Sequence, residues 1–220
     1  MSNLNSVKIN PRVRKPKRAA YHHGDLRQQL LTVAEQIILE RGVDGFTLRE
    51  AARRAGVSPA APAHHFKDAK GLLTEVALLG FREFGDALEA ADRAGGADPA
   101  RRLREQAVAY VNFALKHPAR FQLMFRDDKH DHSNAEFKSA AARSYGILEG
   151  AIRAATNTPP GRELTPQSHG LLLAVWSIVH GFSHLALGRG LHVPGQDPLT
   201  NEAVLNSVLP LMLRHLPAAQ

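Results

Sequence analysis

The sequence has no cysteine. Disulfides and thiolate metal sites are therefore excluded, which suits a reducing compartment. No stretch alternates apolar and polar residues with the period of a strand, and no segment repeats. No apolar run reads as long enough to cross a bilayer, and the charged N-terminus lacks the apolar stretch of a secretory signal. A soluble cytoplasmic protein with no membrane partner is expected. No serine, histidine and acid are spaced as a catalytic triad, and no glycine-rich phosphate loop is present. Neither a catalytic residue nor a cofactor is expected.

Acid is also missing from the first 24 residues, which carry Lys8, Arg12, Arg14, Lys15, Lys17 and Arg18. The whole chain has a formal net charge of +7. With Pro11 and Pro16 among those cations, the segment buries too little apolar surface to fold alone, so residues 1–20 read as a disordered basic arm. By default such an arm is a solvated tail. The alternative is an arm that neutralises phosphates, with Arg14, Lys17 and Arg18 as its contacts.

What is present is helical. The chain has 220 residues and is 44% hydrophobic, enough for a sizeable core. Leu26, Leu30, Val33, Ala34, Ile37 and Ile38 recur at helical spacing, with Asp25 as the expected cap and Gly42 as the stop. Thr47 followed by Glu50 reads as a capping box opening a short helix to Ala55. Further helices are expected over 69–93, 99–117, 118–125, 136–156, 165–187 and 200–216. Pro210 would kink the last. The polar run 126–134 reads as a loop. The fold class is all-α.

The second and third helices are joined by Ala55-Gly56-Val57, the spacing of a helix-turn-helix, whose second helix enters the DNA major groove. Ser58 is the expected cap of that helix and Pro59 its first residue. Ala60, Ala61 and Ala63 are small enough for close backbone approach, and His64 and His65 end the helix before Phe66. Pro62 removes an N–H that would otherwise bond to Ser58. Two outcomes are open: a distorted first turn with the Ser58 carbonyl free, or a later start.

The stretch FTLREAARRAGVSPAAPAHHFKDAKGLL resembles the DNA-binding domain of the tetracycline-repressor (TetR/AcrR) transcription regulators. YHHGDLRQQLL and WSIVHG also resemble the subgroup named for a Trp-His-Gly C-terminal domain. The resemblance implies a helix-turn-helix domain over 21–68 and a helical effector-binding and dimerisation domain over 69–220. It implies a ligand-responsive homodimer, most often a repressor of nearby genes, that releases a palindromic double-stranded operator when a small-molecule effector binds. Thr47, Arg49, Ser58, His64 and His65 occupy the family's DNA-contact positions. Two positions depart from the pattern. Ala63 stands where the family has Tyr, and the family's Lys falls at Ala69, with Lys67 and Lys70 near it. Either the arm compensates or DNA binding is weakened.

For the effector, Phe113, Phe121, Met124, Phe125, Tyr145 and Trp176 are the candidate cavity lining, with His180 and His184. Each alone is as well explained by core packing. His180 and His184 share a helix face, which also suits a metal- or His-dependent helical enzyme. No third ligand is spaced for that, so no metal is expected. The run DDKHDH, 127–132, reads as solvated.

Overall fold

The computed structural model describes residues 23–188, and Arg14, Lys17, Arg18 and the helix expected over 200–216 lie outside them. Eight α-helices and no strand occur among the described residues. They are α1 His23–Arg41, α2 Leu48–Arg54, α3 Ala63–Phe66, α4 Ala69–Gly95, α5 Pro99–Lys116, α6 Pro118–Met124, α7 Ala135–Ala155 and α8 Pro166–Leu187. Asp25 lies inside α1, past the position that the role of cap requires. The loop after α6 contains a 3₁₀ turn, Asp127–Lys129, and a second such turn, Val43–Gly45, follows α1.

Caps set most of the boundaries. Thr47 Oγ1 accepts from Glu50 N, Asp68 from Gly71 N, Asp98 from Ala100 N, Asn134 from Phe137 N and Thr165 from Ser168 N. Each satisfies a donor that the helix start leaves open. The Thr47 box is only half formed, because the Glu50 carboxylate is engaged by Arg53 and Arg54 instead.

The α1–α3 unit packs Leu30, Leu31, Ile37, Ile38, Ala51 and Phe66 into a core that continues into α4–α8. A second, smaller cluster joins Leu103, Ala151, Ile152, Leu172 and Val175. The longest helix is α4. It spans 27 residues, or about 40 Å at 1.5 Å per residue, and it packs on α1, α3, α5, α6 and α7.

By length and composition α8 does suffice to cross a bilayer, contrary to the sequence expectation: its mean hydropathy reaches 1.6. It lies in the bundle, with Leu172, Val175, Val179 and Phe182 buried. Its other face holds Gly170, Leu173, Ala174, Ser177, Gly181 and Leu185, all exposed or half-buried. Leu173 and Leu185 are 45% and 51% exposed.

The run 127–132 is not uniformly solvated either. His130 is buried, its ring centroid 4.6 Å from that of Phe137, and burial lowers its pKa. Its Nε2 is buried there without a hydrogen-bond partner, and that desolvation disfavours the charged ring.

Candidate nucleic-acid face and ligand cavity

Pro62 decides the shape of the expected recognition helix. Residues 59–62 form turns, and regular α-helix begins only at Ala63, so Ser58 does not cap it and Pro59 does not open it. The Ser58 carbonyl is not free: it accepts from Ala61 N at 3.0 Å, and the Ala60 and Ala61 carbonyls accept from Ala63 and His64. These bonds span three residues, which a chain lacking the Pro62 N–H can still make. Pro62 itself is buried, so its ring packs inward. Phe66 is buried as expected, with the Arg27 guanidinium 5.5 Å from its centroid.

Thr47, Arg49, Ser58, Ala60, Ala63, His64, Lys67 and Lys70 are exposed, and His65 is partly buried. Charge pairing divides the cations of this region. Arg53 and Arg54 bind Glu50, Arg54 also binds Glu40, and Arg41 lies 3.5 Å from Glu50. Arg53 and then Arg54 hold the Glu50 carboxyl down to about 2. Arg49, Lys67 and Lys70 form no ion pair among the described residues.

Lys67 is also held in a rare conformation, φ 66° and ψ −59°. Asp68 N donates to the Phe66 carbonyl at 2.7 Å, closing a strained γ-turn around Lys67. Gly71 makes this corner possible, since a Cβ there would lie 2.0 Å from the Phe66 oxygen.

At the other end of α4, a cavity of about 220 Å³ opens between the two core clusters. Phe81, Phe84 and Leu88 of α4 form one wall and Leu103, Gln106, Ala107 and Tyr110 of α5 another. Ala141, Ser144, Tyr145 and Leu148 of α7, Val175, Trp176 and Val179 of α8, and Phe125 after α6 contribute the rest. No charged residue lines it among those described.

Of the candidates read from sequence, Phe125, Tyr145 and Trp176 line this cavity. Phe113, Phe121 and Met124 are buried outside it. Phe113 stacks between Phe84 and His117, and Met124 lies against Gly80. His180 stands behind the wall, its Nδ1 2.7 Å from Tyr110 Oη. Burial lowers the His180 pKa and raises that of Tyr110. Tyr110 Oη and His180 Nδ1 share this hydrogen bond. His184 is exposed and tilted over Phe121. No group of three or more metal-ligating side chains occurs among the described residues. Tyr110 and Gln106 were missed by the sequence reading; both sit on the inward stripe of α5, one turn apart.

The two regions are joined by ion pairs as well as by α4. Arg126, next to Phe125, clamps Asp44 with contacts of 2.9 and 3.0 Å, and Lys129 adds a third at 2.7 Å. Asp44 lies in the 3₁₀ turn that leads to Thr47, and these bonds, Arg126's first, hold its carboxyl well below the usual range. Arg120 of α6 binds Glu35 of α1 at 2.8 and 2.9 Å.

Comparisons with known proteins agree with this arrangement. The family described as "Bacterial regulatory proteins, tetR family" matches residues 30–76. "Tetracyclin repressor-like, C-terminal domain" matches residues 103–207. The HTH-type transcriptional regulator BetI of Paraburkholderia phytofirmans is 36% identical over 87 residues, 40% of this chain and 44% of that protein. The match thus spans less than half of that relative's length. A protein of unknown function from Rhodococcus sp. RHA1 superposes with a TM-score of 0.68 at 32% identity, covering 92% of this chain and 100% of its own. AibR in complex with isovaleryl coenzyme A and operator DNA has the same fold, with a TM-score of 0.62 at 17% identity over 84% of this chain and 97% of its own. With TetR-family models matching residues 30–76 and 103–207, together most of the chain, the protein belongs to the TetR family of bacterial regulatory proteins.

Proposed function

We propose that this chain is a ligand-responsive DNA-binding regulator rather than an enzyme. It acts in the cytoplasm as a homodimer, reads a palindromic operator near its own gene, and represses until a small molecule fills the α4–α8 cavity. The observation that carries the reading is the course of α4. It starts two residues past the strained Lys67 corner and continues unbroken to the cavity wall at Phe81, Phe84 and Leu88. A ligand that alters the packing of α4 therefore alters where the two recognition segments of a dimer stand. Arg49, Lys67 and Lys70, which form no ion pair among the described residues, favour a phosphate-bearing partner. The small-residue and leucine face of α8 favours a second copy as its cover. Fluorescence anisotropy with DNA from upstream of the gene, at two salt concentrations with competitor DNA, tests this. Saturable, competitor-resistant binding of one dimer per site is expected. Weak, steeply salt-dependent binding to every genomic fragment tried would sink it.

The Arg126–Asp44 clamp is a second link between cavity and DNA face, so breaking it should uncouple them. Arg126→Met is expected to leave ligand affinity within about twofold while lowering the ligand-induced loss of DNA affinity severalfold. Calorimetry for the ligand and anisotropy for the DNA read the two quantities separately. An unchanged ratio between them would show that α4 alone carries the coupling.

A further inference from the structure

The segment that would enter the major groove carries few groups able to read a base. Between Ala55 and Phe66 the sequence holds no Arg, Lys, Asn, Gln, Asp or Glu. Those are the side chains that grip guanine or adenine in pairs of bonds, or accept from cytosine. Ser58 stands at the start of the segment and two histidines at its end, with only prolines and alanines between them.

Two of those alanines face outward together. The N–H groups of Ala61, Ala63, His64 and His65 bond to carbonyls three residues back, that of Ala63 to Ala60 at 3.2 Å. In such 3₁₀-type turns residues three apart eclipse, so Ala60 and Ala63 share a side. Both are exposed, as are His64 and Lys67, whereas Pro62 and Phe66 are buried. The outer side therefore presents two methyl groups, then an imidazole and an ammonium. Pro59, before them, is exposed and apolar too. A methyl group reaches a single bond beyond the backbone, so it touches a base edge only where the chain lies deep in the groove.

We infer that this chain selects its operator by thymine: the Ala60 and Ala63 methyl groups pack on the C5-methyl groups of thymines in each half-site. This rests on reading residues 58–66 as the segment that enters the major groove. Thymine is the base whose major-groove edge carries a methyl group, and alanine is among its usual apolar partners. Against G·C pairs the same alanines would desolvate base-edge donors and acceptors without replacing their hydrogen bonds. Arg49, Lys67 and Lys70 flank the segment and form no ion pair among the described residues, which suits them to phosphates. Phosphate contacts fix the register and carry no sequence information directly, so the reading is left to the segment between them.

Selection on the full-length protein from a randomised DNA duplex library supplies the consensus, and anisotropy at fixed salt then measures affinity. Each thymine of the half-site is replaced in turn by deoxyuridine in both halves, which removes only the methyl group. At one or two positions affinity is expected to fall about fifteenfold, or about fourfold for each methyl lost. Elsewhere it should hold within about twofold. At the sensitive positions 5-methylcytosine should bind severalfold tighter than cytosine. Ala60→Gly and Ala63→Gly should each bring thymine and uracil to within about twofold at one of those positions. That ratio is taken within one variant, and the comparison on the native chain stands even if a glycine variant folds poorly. A consensus with no thymine in its half-sites, or one that tolerates uracil at every position, would overturn thymine selection and leave the regulator reading standing. No consensus at all would overturn both.

Discussion

Ala107→Leu is expected to abolish the response to ligand while leaving DNA affinity intact. Ala107 is buried on α5 and lines the cavity. Leucine would extend its longer side chain into space that is otherwise open to a ligand. Filling such a void usually stabilises a protein, by about 0.5–2 kcal/mol. The melting temperature should therefore hold or rise as ligand binding disappears. Ala114 supplies the contrast. It is fully buried on the same helix but does not line the cavity. Ala114→Leu must force a close-packed core apart, at a cost of about 1–3 kcal/mol. Melting curves, ligand calorimetry and DNA anisotropy on the two variants separate void from core. If both lose stability alike, no ligand-sized space exists between α4 and α8.

The same contrast explains what the sequence could and could not reveal. Helical periodicity marks which faces are buried, and it places α1, α4, α5 and α8 to within a few residues. Caps are legible at Thr47 and Thr165 because a side chain three residues ahead of a backbone N–H is a local event. The cavity is not legible, because periodicity does not say where two packed faces fail to meet. Phe113, Phe121 and Phe125 look alike in sequence, yet only Phe125 faces the void. His130 shows the same limit. Its acidic neighbours suggest solvent, and only the arrival of Phe137 from α7 buries it. Pro62 is legible as a problem but not as a solution. Its effect depends on the chain substituting three-residue turns for an α-helical start.

Replacing Arg49, Lys67 and Lys70 together by Gln is expected to weaken DNA binding by about a hundredfold or more at moderate salt. For every phosphate left unneutralised, the slope of log affinity against log salt should also fall in magnitude by about 0.9, and a dimer carries each substitution twice. Arg53→Gln is the control, since its guanidinium is already bound to Glu50 and should change the slope little. A fall in affinity for the operator alone, at constant slope, would mean that these side chains read bases rather than phosphates. Unchanged binding would move the electrostatic anchoring to residues 1–20. Lys67 allows a sharper version. Its left-handed γ-turn is strained for any side chain, at a cost of about 1–3 kcal/mol, whereas glycine adopts it freely. Lys67→Gly should therefore stabilise the fold while weakening DNA binding. Opposite signs in the melting and binding measurements would show that trade directly; a gain in both would mean the corner has no part in holding DNA.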